Sequence, residues 1–390
     1  MDSKFDEDID RRIVPALKVH KMVLGADGMD LFAAGVADMD FKVPQVVLDA
    51  MSARVEHGIF GYETVPPNLI PALMKWLYER HQWQVDAAHI LRAPNVLNTL
   101  AIAASLFSEV GDGVIVQPPV FFDFFDIIEE NKRELVLNPL ILRDGRYEMD
   151  FDGLEKLAAN PRNKMIYLCN PHNPVGRVWR AGELRQLGDI CARHNVLVVS
   201  DEIHGDIVFS GAKYTPFASL GTQYADNSIT CLSPAKSFNI AACCSAFSVV
   251  PNDARRAAFQ AENSRLTVNK NNAFASVAMT AAYGGGGAWL TEVCEYLEGN
   301  LALVEAQLAP LQGVELIKPE GTFLAWLDFR ELGFSPEDLT KFLRHEAGWA
   351  LTRGQAFGVE GNGFARLNFA CTGSKLTAAL DQLSAAIKRL

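Results

Sequence analysis

The sequence predicts an α/β protein: a mainly parallel sheet with crossover helices, followed by a smaller α+β lobe. Two observations predict this class. Short, near-continuous apolar runs alternate with helical patterns through the middle of the chain, as buried parallel strands and their crossovers do. Beyond a glycine tract, a long helical pattern is followed by two more strand-like runs, with helices around them. In chain order, Pro44 opens a helical pattern through Val46, Val47, Ala50 and Met51 that closes at Gly58, proline just inside the start and glycine at the end. Residues 71–81 and 98–110 read as further helices. Strands are expected over 113–117, 165–169, 196–200 and 228–232, with a helix over 181–194. The tract Gly284-Gly285-Gly286-Gly287 reads as a hinge or linker, or simply as an exposed loop between two helices. After it come a long helix over 289–311 and strands over 321–329 and 363–369.

Composition narrows the function classes. With 390 residues, 49% hydrophobic and 21% charged, the chain has ample material for a core of two or three lobes. A net charge of -11 without any basic run argues against nucleic acid, whose affinity rests on clustered Lys and Arg. The acidic N-terminus lacks the basic flank and apolar stretch of a signal peptide, and no apolar run is long enough for a membrane helix. Seven scattered cysteines suit neither a disulfide framework nor paired zinc ligands. A soluble, cytoplasmic protein without a structural metal is expected.

Three polar clusters follow three of the expected strands: Asn170-Pro171-His172-Asn173-Pro174-Val175-Gly176-Arg177, then Asp201-Glu202-Ile203-His204, then Ser233-Pro234-Ala235-Lys236. Open α/β sheets bind ligands beyond the carboxyl ends of their strands. Each cluster alone has an ordinary explanation. A Lys after a strand is usually solvated, Asp201 could cap a helix, and Asn-Pro pairs form turns. All three in this order point to a site.

At these residues the chain resembles the fold type I pyridoxal-phosphate (PLP) enzymes of the aminotransferase superfamily, and within it the cystathionine β-lyase or C–S lyase branch. Further matching segments run through nearly the whole chain: Val36 to Phe41, His57 to Tyr62, Arg146 to Asp150, Cys169 to Arg177, His194 to Asp206, Lys236 to Ile240, Glu298 to Asn300, Lys318 to Thr322, and Arg366 to Asn368. The resemblance implies a seven-stranded PLP-binding domain over 46–287. It implies a small domain over 288–390, joined by an N-terminal segment over 1–45. It implies a catalytic set of Lys236, Asp201 and His204. Lys236 would hold the cofactor's aldehyde and then serve as acid and base at the substrate Cα. Asp201 would keep the pyridine nitrogen protonated, and Asn173 would donate to the ring oxygen. A satisfied core histidine is the lesser alternative for His204. Ser233 and the helix start Asn95-Val96-Leu97 would take the phosphate. Phe121 would stack on the ring. Tyr62 would reach the phosphate of the neighbouring subunit, making a homodimer with shared sites, although an aromatic in a buried turn is an alternative. Arg366 would grip the carboxylate of a small amino-acid substrate, with Asp38, Tyr62 and Asn173 also facing it. A structural ion pair for Arg366 and a plain loop at Asp38 to Asp40 are the competing explanations.

Four differences from the family pattern stand out, three at single positions and one over a run of five. Phe121 lacks the hydroxyl of the usual Tyr, and Ala235 replaces Ser or Thr. Asn95 replaces a Gly, as a residue that also tolerates positive φ. Ala241-Ala242-Cys243-Cys244-Ser245 replaces a run beginning Ala-Gly-Leu. The implied reaction is β-elimination on a cysteine S-conjugate or thioether amino acid. The alternatives are transamination or decarboxylating or oxidative deamination of such a conjugate, and a PLP-fold protein whose role is binding a regulatory partner.

Overall fold

The computed structural model describes residues 3–25, 28 and 30–390. Its central sheet has seven strands: β1 (Ile90–Ala93), β2 (Gly113–Val116), β3 (Glu134–Leu137), β4 (Asn163–Cys169), β5 (Leu197–Asp201), β6 (Ser228–Leu232) and β7 (Ala246–Val249). Their order is β1-β7-β6-β5-β4-β2-β3. Neighbours are parallel except at β7, which is antiparallel to both β1 and β6. Two reversals cancel, so β1 runs in the same direction as β6.

The helices used below are α1 (Gln45–Glu56), α2 (Leu69–His81), α3 (Val96–Phe107), α4 (Ala181–His194), α5 (Ala273–Gly285), α6 (Gly287–Leu308) and α7 (Gly373–Ile387). Strand side chains alternate between the two faces. In β4, Met165, Tyr167 and Cys169 join the core that holds Leu100, Ala103 and Ala104 of α3. Ile166 and Leu168 join the opposite core, with Leu184, Leu187 and Ile190 of α4. Burial on both faces explains why these strands read as unbroken apolar runs.

The second lobe carries an antiparallel sheet of β8 (Glu315–Ile317), β9 (Leu324–Asp328), β10 (Thr352–Arg353) and β11 (Phe364–Asn368), in the order β8-β9-β11-β10. The start of the chain returns to this lobe. Phe32–Ala33 pairs with Trp349–Ala350, and Asn368 N donates to Ala34 O at 2.8 Å.

The expected strands and the helix over 181–194 all form, with ends shifted by one to three residues elsewhere. The helix expected over 98–110 starts earlier, at Val96, because the Asn95 side chain caps it by accepting from Asn98 N at 2.7 Å. It ends at Phe107, where Ser108 turns to extended backbone. The glycine tract is neither a linker nor an exposed loop. α5 ends at Gly285 and α6 starts at Gly287, so one residue, buried Gly286, turns the corner. A Cβ there would lie 2.5 Å from the Phe238 ring, so close packing, not freedom, calls for glycine.

Candidate active site

β2, β4, β5 and β6 end at one edge of the sheet, and so does β1. The clusters that follow these strands therefore converge. Phe121 comes from the segment after β2, Asn173 from that after β4, and Asp201 closes β5 with His204 three residues on. Ser233 and Lys236 follow β6. The N-terminus of α3, which follows β1, opens at the same edge.

Ser233 caps the short helix Pro234–Ser237, its Oγ accepting from Ala235 N at 3.1 Å, and this turn presents Lys236. Lys236 Nζ donates to Ala37 O at 2.7 Å. Burial, then the neighbouring Arg366 charge, lowers its pKa to about 8, against the opposing pull of Asp38, Asp201 and Asp123. Asp201 is buried and accepts from Ile203 N at 3.1 Å. Burial raises its carboxyl to about 6, partly offset by that bond and by Lys236. The buried His204 ring packs edge-on to Phe323 with centroids 5.8 Å apart. Burial, Lys236 and Arg366 all hold it well below the usual histidine pKa, hence neutral, and its Nδ1 has no partner.

Arg366 projects from β11 of the second lobe and is 3% exposed. Its Nη1 donates to Asn173 Oδ1 at 2.9 Å, and its Nη2 to Gly35 O at 2.7 Å and Thr352 Oγ1 at 3.3 Å. The guanidinium lies over the Phe357 ring, 4.9 Å from its centroid. Its Nε has no partner, and burial alone pulls its pKa to about 9. Among the described residues no carboxylate pairs with it, which removes the structural ion pair as an explanation. Such a cation calls for an anionic ligand.

Asp38 is placed differently. Arg11 grips its carboxylate at 2.6 Å and that of Asp40 at 2.8 Å, while nearly buried Lys18 reaches Asp40 at 2.9 Å. What this segment offers the site is main chain: Gly35 O to Arg366 and Ala37 O to Lys236. Asn368 Nδ2 ties it down through Val36 O and Asp38 O, both at 2.6 Å.

At the other end, the N–H groups of Val96 and Leu97 lie in the first turn of α3, where no intrahelical acceptor exists. Asn95 has φ -163°, extended backbone, so the site needs no positive φ there and the change from Gly is neutral for the loop. Ser233 Oγ donates to Ser245 O at 2.7 Å and must exchange that carbonyl to serve a ligand. Phe121 is half-buried, with Phe122 at 5.1 Å and Phe124 at 5.9 Å. Tyr62 is not brought to this cluster. It is fully exposed beside exposed Ile59 and Phe60, so it is not an aromatic in a buried turn.

Thr352, Phe357, Ser245 and the two carbonyls of Gly35 and Ala37 were not foreseen. Carbonyls carry no side-chain signature, and Thr352 sits in a two-residue strand too short to show periodicity. The assembled donors fit a flat ligand with an anionic end at α3, a cationic ring atom at Asp201, an aldehyde at Lys236, and an amino acid carboxylate at Arg366.

The family model for aminotransferase class I and II matches residues 29–383. Cystathionine beta-lyase PatB of Bacillus subtilis (strain 168) is 41% identical over 359 residues, 92% of this chain and 93% of that one. Among solved structures, cystalysin from Treponema denticola, which contains a pyridoxal 5'-phosphate cofactor, superposes with a TM-score of 0.95 at 31% identity, covering 100% of both chains. The PLP-bound C–S lyase from Staphylococcus hominis gives 0.92 at 30% identity, covering 99% of this chain and 98% of the other.

Proposed function

The chain belongs to the aminotransferase class I and II family, and on that premise we propose that it is a PLP-dependent carbon–sulfur lyase. It takes an S-substituted cysteine or a thioether amino acid and one water to a thiol, pyruvate and ammonia. The observation that carries this reading is the buried Arg366, paired with no carboxylate among the described residues, beside a half-buried Lys236 whose pKa has fallen to about 8.

Bound PLP supplies an electron sink that makes the amino acid Cα–H acidic. Lys236 tethers the cofactor through its amine and, once released, takes the proton from Cα and delivers one to the departing sulfur. Its lowered pKa leaves a usable neutral fraction near pH 7 to 8. Asp201 holds the pyridine nitrogen as a cation, and that cation in turn favours the ionised carboxylate. His204 stays neutral, so it adds no charge to compete with that pairing. Asn173 Oδ1 orients Arg366, and its amide NH2 is left for the cofactor's ring oxygen. Arg366 takes both carboxylate oxygens in a fork, releasing Gly35 O. Phe121 would cover the ring, while Val96 N, Leu97 N, Asn95 and Ser233 would hold the phosphate. The exposed Ile59, Phe60 and Tyr62 support a homodimer in which Tyr62 completes the partner's phosphate site. Seven free cysteines and the lack of any membrane-crossing helix among the described residues fit a cytoplasmic enzyme.

Incubation of the purified holoenzyme with cystathionine and a series of S-alkyl cysteines tests the reading. Stoichiometric pyruvate and free thiol are expected, with neither formed by Lys236→Ala. A sulfur-retaining keto acid or aldehyde from every substrate would overturn elimination in favour of transamination or oxidative deamination.

A further inference from the structure

The loop that follows β5 carries a further carboxylate, Asp206, five residues beyond Asp201. Its side chain is only 11% exposed. Oδ1 accepts from Trp76 Nε1 at 2.9 Å and lies 2.8 Å from His81 Nε2, both on α2. Oδ2 accepts from Ser237 Oγ at 2.7 Å. Ser237 is completely buried and directly follows Lys236. Burial pushes the Asp206 carboxyl upward, but the bonds from His81, Ser237 and Trp76 outweigh it, so the group is held ionised. The surroundings are rigid: the His81 ring stands edge-on to Tyr214 at 4.8 Å, and a Cβ on Gly205 would come within 2.7 Å of that tyrosine.

We propose that Asp206 is the positioning residue for Lys236. Through Ser237 it fixes the short turn that presents the amine. Through its own backbone it ties that turn to the loop bearing Asp201 and His204, and through Trp76 and His81 it anchors both to α2. The proposal rests on the functional reading above, in which Lys236 moves the proton. Geometry rather than charge is the means, because the charges that act on Lys236 are Arg366, Asp38, Asp201 and Asp123, without Asp206. A single helical turn has little stiffness of its own, and Pro234–Ser237 is one. Ser233 caps its start and Ala37 O holds the amine, and the Ser237–Asp206 bond is the side-chain tether at its other end.

Three holoenzyme variants test this: Ser237→Ala, Asp206→Asn and Asp206→Ala. Ser237→Ala deletes only the hydroxyl, so it keeps the test open if Asp206→Ala fails to fold. Misplacing a reacting group by about 1 Å costs on the order of 100-fold in rate, and a loosened tether on the order of 10-fold. Ser237→Ala is therefore expected to lower kcat on the order of 10-fold with KM little changed, and Asp206→Ala to lower it further. Asp206→Asn should recover part of the loss, since its amide still accepts from α2 and can donate to Ser237 Oγ. Two further readouts separate positioning from bulk stability: the pH midpoint of the cofactor's absorbance, and the rate at which borohydride fixes cofactor onto Lys236, followed by mass. Both should shift in Ser237→Ala and return toward wild type in Asp206→Asn. If the variants lose thermal stability while kcat, midpoint and fixation rate match the wild type, the proposal is wrong and Asp206 is merely structural. A wild type that fixes no cofactor at all would instead sink the functional reading, and this proposal with it.

Discussion

Burial of the Asp201 carboxylate costs the folded chain stability at neutral pH. The carboxyl rises to about 6 in the folded chain from 3.8, because burial outweighs its backbone bond. Between those values the folded state binds more protons than the unfolded one. Asp201's contribution to stability is thus fully present below about pH 4 and is lost as pH rises through about 6. Removing the charge should remove the penalty. Asp201→Asn is expected to stabilise the cofactor-free protein at pH 7 by about 1–3 kcal/mol, since one pKa unit is about 1.4 kcal/mol, and to flatten the pH dependence between 4 and 6. Urea midpoints measured across that range check both, while lyase activity should collapse. Arg366 makes the complementary case. A lysine there cannot hold Asn173 and a forked carboxylate from one point charge. Arg366→Lys should cut kcat/KM on the order of 100-fold, chiefly through KM, in steady-state kinetics. Both residues were readable in the sequence because each is a charged side chain placed in or just after an apolar strand, where its charge demands an explanation. The carbonyls of Gly35 and Ala37, which hold the two site cations, gave no such signal. Asp38 was readable as polar, but its partner Arg11 is 27 residues away, and nothing local reveals that it turns to Arg11 rather than into the cleft.

At the scale of elements, the unbroken apolar strands were legible, four-residue β2 among them, and the short mixed ones were not. β1, β3 and β7 have four residues each, and two of them, Ile90–Ala93 and Glu134–Leu137, include a charged side chain. A mixed run of four residues shows no period, and no period reveals strand direction, so the antiparallel β7 was invisible. The glycine corner shows the same limit. Four glycines in a row look alike in sequence, yet they differ in what surrounds them. Gly286 faces the Phe238 ring, two residues beyond Lys236, whereas Gly284 is exposed in the last turn of α5 with nothing near its missing Cβ. Gly286→Ala is therefore expected to cost about 1–3 kcal/mol through overpacking. Gly284→Ala should gain about 0.5–1 kcal/mol through helix propensity. Denaturant titration of the two single variants reads the opposite signs directly.

The whole molecule depends on pairings between distant parts of the chain. The N-terminal segment lies along the second lobe, and its carbonyls meet Lys236 from the large sheet and Arg366 from the small one. Tyr62 extends this logic past the single chain. It is fully exposed, with exposed Ile59 and Phe60 beside it in sequence. If each site takes Tyr62 from the partner, two crippled homodimers should complement each other. A Lys236→Ala protomer keeps Tyr62, and a Tyr62→Ala protomer keeps Lys236. In a hybrid dimer both intact groups meet at one site, and both defects fall on the other. After statistical exchange of equal amounts, half the dimers are hybrids with one good site of two, so about a quarter of wild-type kcat should return. If Tyr62 serves its own protomer, every hybrid site keeps at least one defect and mixing restores nothing. Activity measured before and after subunit exchange, with exchange verified by native mass spectrometry, decides between them. Monomers at assay concentration would rule out the shared site altogether.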